Sequence, residues 1–506
     1  MNPRLSRLII LTTAVVGLTG PSQAQTAAAP AWETPLRASL EEMAEKLSRS
    51  LKPWPVPDQV FRVEDFGAVA DGATLDTLAL QKTIDACSAK GGGVVLLSKG
   101  DYVTGTIDLK SGVMLEIAAG ARLLGSTNLA DYPDRVPARQ TVMDTWMKLK
   151  LSLIYAENCD RVGIRGAGVI DGRGLNQNFP GRATSAELPG RPFLIRVIEC
   201  RHVVIDHIHL RDSASWMQNY LDCDDLILQN VNVENQGNWN NDGFDIDGCR
   251  NVIVRDCFIN AEDDAMCFKG AGLRTMENVL VENCTAYSEC NALKFGTDSQ
   301  GNFRNVVLRN IEIGGVPANL PSYHPRHRLS NSGVSWESVD GGTVENILVA
   351  NVRIVRADAP IFLRLGDRKR VKPDMPKPEP GILRHLIFDH VTGEDIGALG
   401  SIITGIPGHR VQDVVIRNFK VSMRGGGTTN QAVAVLPELA DKYPDAGMFG
   451  HPVPALGFWI RHAENIYFDN ILVTPLHPDA RPEFAAHDDV SDIFLDGKPL
   501  PSTAAQ

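Results

Sequence analysis

The sequence predicts an all-β chain, a right-handed parallel β-helix (a solenoid) with an N-terminal helical cap, on three observations. A short phrase recurs along it: Asn, Asp or His followed by three apolar residues, at His202, Asp225, Asn251, Asn278, Asn305, Asn346, His385, Asp413 and Asn465. Between residues 202 and 305 the copies lie roughly 23 to 27 residues apart, a solenoid period too short for a strand, crossover helix and second strand. The composition agrees, with 45 glycines and only 6% aromatic residues in 506, so the chain length need not mean two or three ordinary domains.

Each copy makes one coil. Val252, Val254, Cys257 and Ile259 alternate as strand positions do, and Gly, Asn and Asp mark the corners. One coil cannot bury its apolar face, but stacking at about 4.8 Å builds a continuous core with each strand hydrogen-bonded above and below. An open end of such a stack invites edge pairing, and the N-terminal segment is expected to cover it. Residues 36–51 and 74–88 both carry helical periodicity. The expected order is a helical segment over 25–60, the β-helix over 61–480 and a tail over 481–506. The longer spacings late in the chain are insertions: a Pro-rich loop at 368–380, and residues 314–332 carrying His324, Arg326, His327 and Arg328. The second is either a groove wall that binds substrate or a plain solvated loop.

At the N-terminus, Arg4 and Arg7 precede the apolar run 8–18 and then Ser22-Gln23-Ala24, the pattern of a cleavable signal peptide over residues 1–24. Periplasmic or secreted localisation is the expectation, with no membrane partner. A net charge of −11 argues against nucleic acid. The nine cysteines show no paired metal-ligand spacing and read as small buried residues stacked along the core. Nothing in the pattern requires a cofactor, and a solenoid of this length is expected to be stable as a monomer. His409 and His451 have no partner at ligand spacing.

The densest polar cluster, 238–247, is followed one coil later by Glu262-Asp263-Asp264. Stacking turns one repeat of sequence into one strand spacing, so Asp242 converges on Asp263 and Asp264. The latter two can share a site only at a corner or strand start, and Gly243 and Gly270 suit corners. Clustered carboxylates repel, which keeps a proton on at least one of them, as inverting glycoside hydrolysis requires. A calcium site and turn-capping aspartates use the same residues and stay open on spacing alone. Trp216, Trp239 and Trp336 are candidate platforms for sugar faces.

Asn240-Asn241-Asp242-Gly243-Phe244-Asp245 resembles the Asn-Thr-Asp-Gly-Ile-Asp strand of glycoside hydrolase family 28, the polygalacturonases. Residues 262–270 are similar to that family's Gly-Asp-Asp-Cys-Ile-Ala-Ile-Lys-Ser-Gly segment, and 65–76 with 91–95 resemble the opening of its bacterial branch. The likeness spans about 60–480. It implies Asp263 as general acid, Asp242 and Asp264 as the pair that holds and activates water, inversion at the anomeric centre, and no metal. Two departures stand out. Where the family has Gly-His-Gly, Asn291 and Lys294 occupy the coil, and the basic Arg-Ile-Lys motif is replaced by Ser335-Trp336-Glu337. An acceptor-only Glu337 repels a uronate and accepts from sugar hydroxyls. The substrate-binding set is therefore Asn240, Asn291, Lys294, Lys269, Glu337, Trp239 and Arg364, where Lys269, Lys294 and Arg364 supply positive charge. The expected activity is hydrolysis of α-linked pectic or related chains, acting from their ends if long loops close one side of the groove. A calcium-dependent polysaccharide lyase and a non-catalytic carbohydrate-binding solenoid are the alternatives.

Overall fold

A computed structural model describes residues 30–147, 150–181, 190–372, 374–450 and 452–500; the proposed leader and His451 lie outside them. The first residue of the repeated phrase has a positive φ at every one of its nine copies, from His202 at 52° and Asn278 at 59° to Asn465 at 56°. Asn, Asp and His tolerate this left-handed turn better than other side chains, which explains the phrase. Their amides also stack: Asn251 Nδ2 donates to Asp225 Oδ1 at 3.0 Å and Asn278 Nδ2 to Asn251 Oδ1 at 3.1 Å.

Three parallel stacks of strands result. One runs through Asp224–Gln229, Arg250–Arg255 and Met276–Glu282, and a second through Asn232–Asn235, Phe258–Ala261 and Thr285–Ser288. The third runs through Phe193–Ile198, Gln218–Leu221, Phe244–Asp247, Met266–Gly270, Asn291–Ser299, Ser330–Ser338 and Ala357–Leu365. Connections of this kind close right-handed, and one apolar core fills the coil from Val63 to Ile493. Cys87, Cys200, Cys223, Cys249, Cys257 and Cys284 lie within it as expected, whereas Cys267 and Cys290 stand on the groove side near Asp264; all nine cysteines are unpaired, and Cys223 N donates to Cys249 Sγ at 3.3 Å one rung away.

The end cover is α2 (Thr77–Ala89), which sets Leu80, Ile84 and Cys87 on the first coil. The other helix, α1 (Glu33–Ser50), does a different job. Leu40, Ala44 and Leu47 pack along the flank of the first stack on Ile253, Leu280, Val307, Leu348 and Ile387, with Arg37 3.0 Å from Asp389. The expected tail is also corrected. Phe484–Leu495 pairs in parallel with Phe458–His477 as a further rung, because Ala486 and Ile493 keep the inward apolar positions of the repeat. Among the described residues no helix is long and apolar enough to cross a membrane.

Insertions gather around the third stack. Residues 126–151, 236–243, 315–329 and 426–457 all leave between the second and third stacks, and 366–381 leaves on the third stack's other side. The outer face of that sheet is thus the floor of a groove.

Candidate active site

Register fixes the floor. A single outward column reads Tyr155, Arg196, Asn219, Asp245, Cys267, Lys294, Ser335, Phe362, Ile402 and Trp459. It is polar in the middle and apolar beyond Phe362. Beside it, at the starts of the strands, stand Asp242, Asp264, Asn291 and Ser332. Corners put them there: Asp242 sits just before Gly243, and residues 262–265 bend between two strands. A Cβ on Gly243 would lie 2.3 Å from the Ala265 carbonyl oxygen, so glycine alone lets these rungs approach while Gly243 N donates to Asp264 O at 2.9 Å.

The expected carboxylates meet. Asp263, partly exposed, accepts from Asn240 Nδ2 at 3.2 Å and from Asp264 N at 3.0 Å. Asp264, 4% exposed, accepts from Asn291 Nδ2 at 2.9 Å and pairs with Lys294 Nζ at 3.0 Å. Lys269 pairs with Asp245 at 3.2 Å and lies 4.8 Å from the Trp216 ring. Asp242 is buried, and its Oδ1 has no hydrogen-bond partner among the described residues.

Charge then separates the three acids. Loss of water raises Asp242 well above the ordinary carboxylate range, and the charges of Asp245, Asp263 and Asp264 add to this. Asp263 is raised by the same loss of water and by Asp264. Burial pushes Asp264 up as well, but Lys294, Lys269 and the Asn291 amide outweigh it and hold this acid below its usual value. The surroundings thus favour the charged form of one carboxylate and the protonated form of its two neighbours, the division of labour that paired acid and base chemistry needs. The Lys294 ammonium stands where a cation on Asp264 would sit, so although Asp263, Asp264 and Cys290 can bring ligand atoms within 4.8 Å of one another, the donor set suits a lysine better than calcium.

Other expected residues are placed as follows. Glu337 is 1% exposed and accepts from Ser335 Oγ at 2.7 Å, and its Oε2 has no hydrogen-bond partner among the described residues. Burial lifts its pKa to about 7 against the pull of Lys294. Arg364 is a correction. Fully buried, it spends its guanidinium on the carbonyls of Gly405, Glu438 and Leu439 and holds the 426–457 insertion instead of facing the groove. Trp336 lies in the core and Trp216 is buried against Phe193, so neither is a platform; Trp239 is half-buried beside Tyr323 and His324.

Sequence reasoning missed Arg191, Glu262, His324 as a site member, and Tyr443. Arg191 donates to Asn240 Oδ1 at 2.9 Å and to the Ala214 carbonyl, fixing the segment that presents Asn240 to Asp263. Burial raises Glu262 to about 8, and it faces His324 Nε2 at 3.0 Å. Tyr443 hangs from the last insertion with its ring 5.8 Å from Lys294 Nζ. Glu262 had a sequence signal in its adjacency to Asp263, and His324 had one in the basic loop 314–332; Arg191 and Tyr443 had none.

The groove is closed toward both ends of the column. At one end α3 (Val142–Met147) sets Val142 and Met143 on Phe193 and Trp216, and Asp144 pairs with buried Arg196. At the other, Ala446, Phe449, Val453 and Ala455 of the 426–457 insertion pack on Phe362, Ile402 and Trp459.

A pH signature follows from Glu337. Its pKa is higher folded than unfolded, so its contribution to stability is complete below the ordinary value of 4.5 and is lost as pH rises through about 7. Glu337→Gln should raise the melting temperature at about pH 8 by a few degrees more than at about pH 5 in thermal unfolding.

Comparison with known proteins identifies the family and the fold. Residues 87–435 match the model of "Glycosyl hydrolases family 28". A probable polygalacturonase of Vitis vinifera is 28% identical over 270 residues, which is 49% of this chain and 53% of that protein. An exo-poly-alpha-D-galacturonosidase of Dickeya chrysanthemi is 38% identical over 126 residues, 24% of this chain and 20% of its own. The chain thus spans about half or less of these curated relatives. Among solved structures, an exopolygalacturonase from Thermotoga maritima superposes with a TM-score of 0.67 at 18% identity, covering 86% of this chain and 96% of the other, and so shares the fold. With the family model covering well over half its length, the chain belongs to family 28 of the glycosyl hydrolases.

Proposed function

We propose that the chain hydrolyses α-glycosidic bonds in pectic or related polysaccharides with inversion, removing sugars from a chain end, and that it does so after export. One observation carries the chemistry: Asp263 and Asp242, whose surroundings favour the protonated form, share a groove floor with an Asp264 that the adjacent Lys294 favours as the carboxylate. Asp263, the most exposed of the three, donates its proton to the leaving glycosidic oxygen. Asp264 takes a proton from water oriented with the help of Asp242, and the water oxygen bonds the anomeric carbon from the opposite face as the glycosidic bond breaks. Solvent exchange resets both groups. Closure of the floor by α3 and by the 426–457 insertion supports end action, since a long chain has no continuous path along the column. The relatives named for polygalacturonase activity support a pectic substrate, while Glu337 in place of a basic motif speaks against a galacturonate at that rung.

Galacturonan, rhamnogalacturonan fragments and neutral α-linked oligosaccharides form the test panel, read by reducing-end release, early product size and anomeric NMR. Expected are a small sugar as the first product, inverted configuration, no ultraviolet-absorbing unsaturated ends and no loss of rate with chelator. Unsaturated products would mark a lyase, an early ladder of fragments would remove end action, and binding without turnover on the whole panel would leave a carbohydrate-binding solenoid.

A further inference from the structure

The insertion at 315–329 is pinned to the groove edge rather than left in solvent. Tyr323 N donates to Gln236 Oε1 at 2.8 Å, Asn260 Nδ2 to the Pro321 carbonyl at 3.0 Å, and His324 N to Glu289 Oε2 at 2.9 Å. Ser322 Oγ donates to the other Glu289 oxygen, and the His324 ring meets Glu262. Arg328 turns inward onto the carbonyls of Pro317 and Leu320. Tyr323 and His324 lie with ring centroids 5.4 and 4.8 Å from Trp239, and Trp239 immediately precedes the Asn240 that binds Asp263.

Outside this aromatic block, Tyr323, His324, Pro325, Arg326 and His327 line an open depression of about 500 Å³, within the size range of small-ligand sites. Arg326 and His327 are exposed there, and among the described residues neither side chain has an acidic partner. Near the catalytic acids the situation is opposite: Lys269 is matched by Asp245, Lys294 by Asp264, Arg196 by Asp144 and Arg368 by Asp340. The basic side chains of the centre are thus already engaged by carboxylates, whereas the depression offers a guanidinium fork with no acidic partner among the described residues.

We infer that this depression is a subsite for a uronate residue of the substrate, with its carboxylate on Arg326 and His327 and its bond to the catalytic centre spanned past Trp239. The inference rests on the polysaccharide reading above and adds where the anionic sugar is held. Binding tests it without turnover. In an Asp263→Asn background, a galacturonate trimer and a neutral trisaccharide are titrated by calorimetry at low and high salt. Adding Arg326→Gln with His327→Gln should weaken the galacturonate trimer about 10-fold and abolish its salt sensitivity. Arg326→Lys should recover part of the loss, and the neutral ligand should be unaffected. Equal affinity for the trimer with and without the double substitution overturns the inference, as does an equal loss for the neutral ligand. Absence of reducing-end release by the unsubstituted protein would sink the hydrolase proposal and leave this binding result standing on its own.

Discussion

Asp263→Asn is expected to lower kcat by roughly 10³-fold while leaving the melting temperature nearly unchanged, measured by steady-state hydrolysis and thermal unfolding. The asparagine keeps a carbonyl oxygen for the Asp264 N–H that now donates at 3.0 Å, and it places no charge in a site already acidic. What it removes is the proton. The pH profile should also change shape. With Asp263 raised by lost solvation and by Asp264, the native profile falls on its alkaline side as Asp263 deprotonates, and the variant's residual activity should lack that limb. A variant with near-normal kcat would place the general acid elsewhere.

Lys294→Met should cost both catalysis and stability, each in a pH-dependent way. The ammonium is 3.0 Å from Asp264, and both side chains are almost fully buried. Breaking a buried pair by deleting one partner costs about 3–5 kcal/mol when the remaining charge stays ionised. Asp264 can escape by taking up a proton, because burial alone drives its pKa upward. The sign is therefore opposite in the two proteins. In the native chain the depressed Asp264 contributes stability above its ordinary value of 3.8, which is lost as pH falls through the folded value. In the variant a raised Asp264 contributes at low pH and loses that contribution as pH rises. The deficit in melting temperature should then be small near about pH 4 and largest near about pH 8. Activity should fall about 100-fold at neutral pH, with the acidic limb of the profile displaced upward as the base becomes harder to ionise. An unchanged acidic limb would show that Lys294 does not set the charge of Asp264.

The contrast between Lys294 and Arg364 shows how far sequence reaches. Both occupy outward positions on the same stack, and alternation identifies them equally well. Lys294 could be placed because its neighbour in space, Asp264, lies one rung away and therefore one period away in sequence. The fate of Arg364 depends on carbonyls at Glu438 and Leu439, more than seventy residues downstream in an insertion that follows no period. Tyr443 and Arg191 escaped notice for that reason. In α1 the helical spacing of Leu40, Ala44 and Leu47 was legible, but an apolar stripe says only that something is covered, and here that is a flank of five rungs rather than an end. The acids themselves were readable because Gly243 and the bend at 262–265 are local, and the repeat does the rest.

Each rung touches only the rungs beside it, and Asp242, Asp263, Asp264, Asn291 and Lys294 ride on three consecutive turns of the coil. The barriers that limit what reaches them come from elsewhere, in excursions of chain that can lengthen or shrink without shifting register below. Reactivity and selectivity are thereby separable traits: transplanting the excursion at 315–329 or 426–457 between relatives should exchange substrate preference while the bond-breaking apparatus travels unchanged.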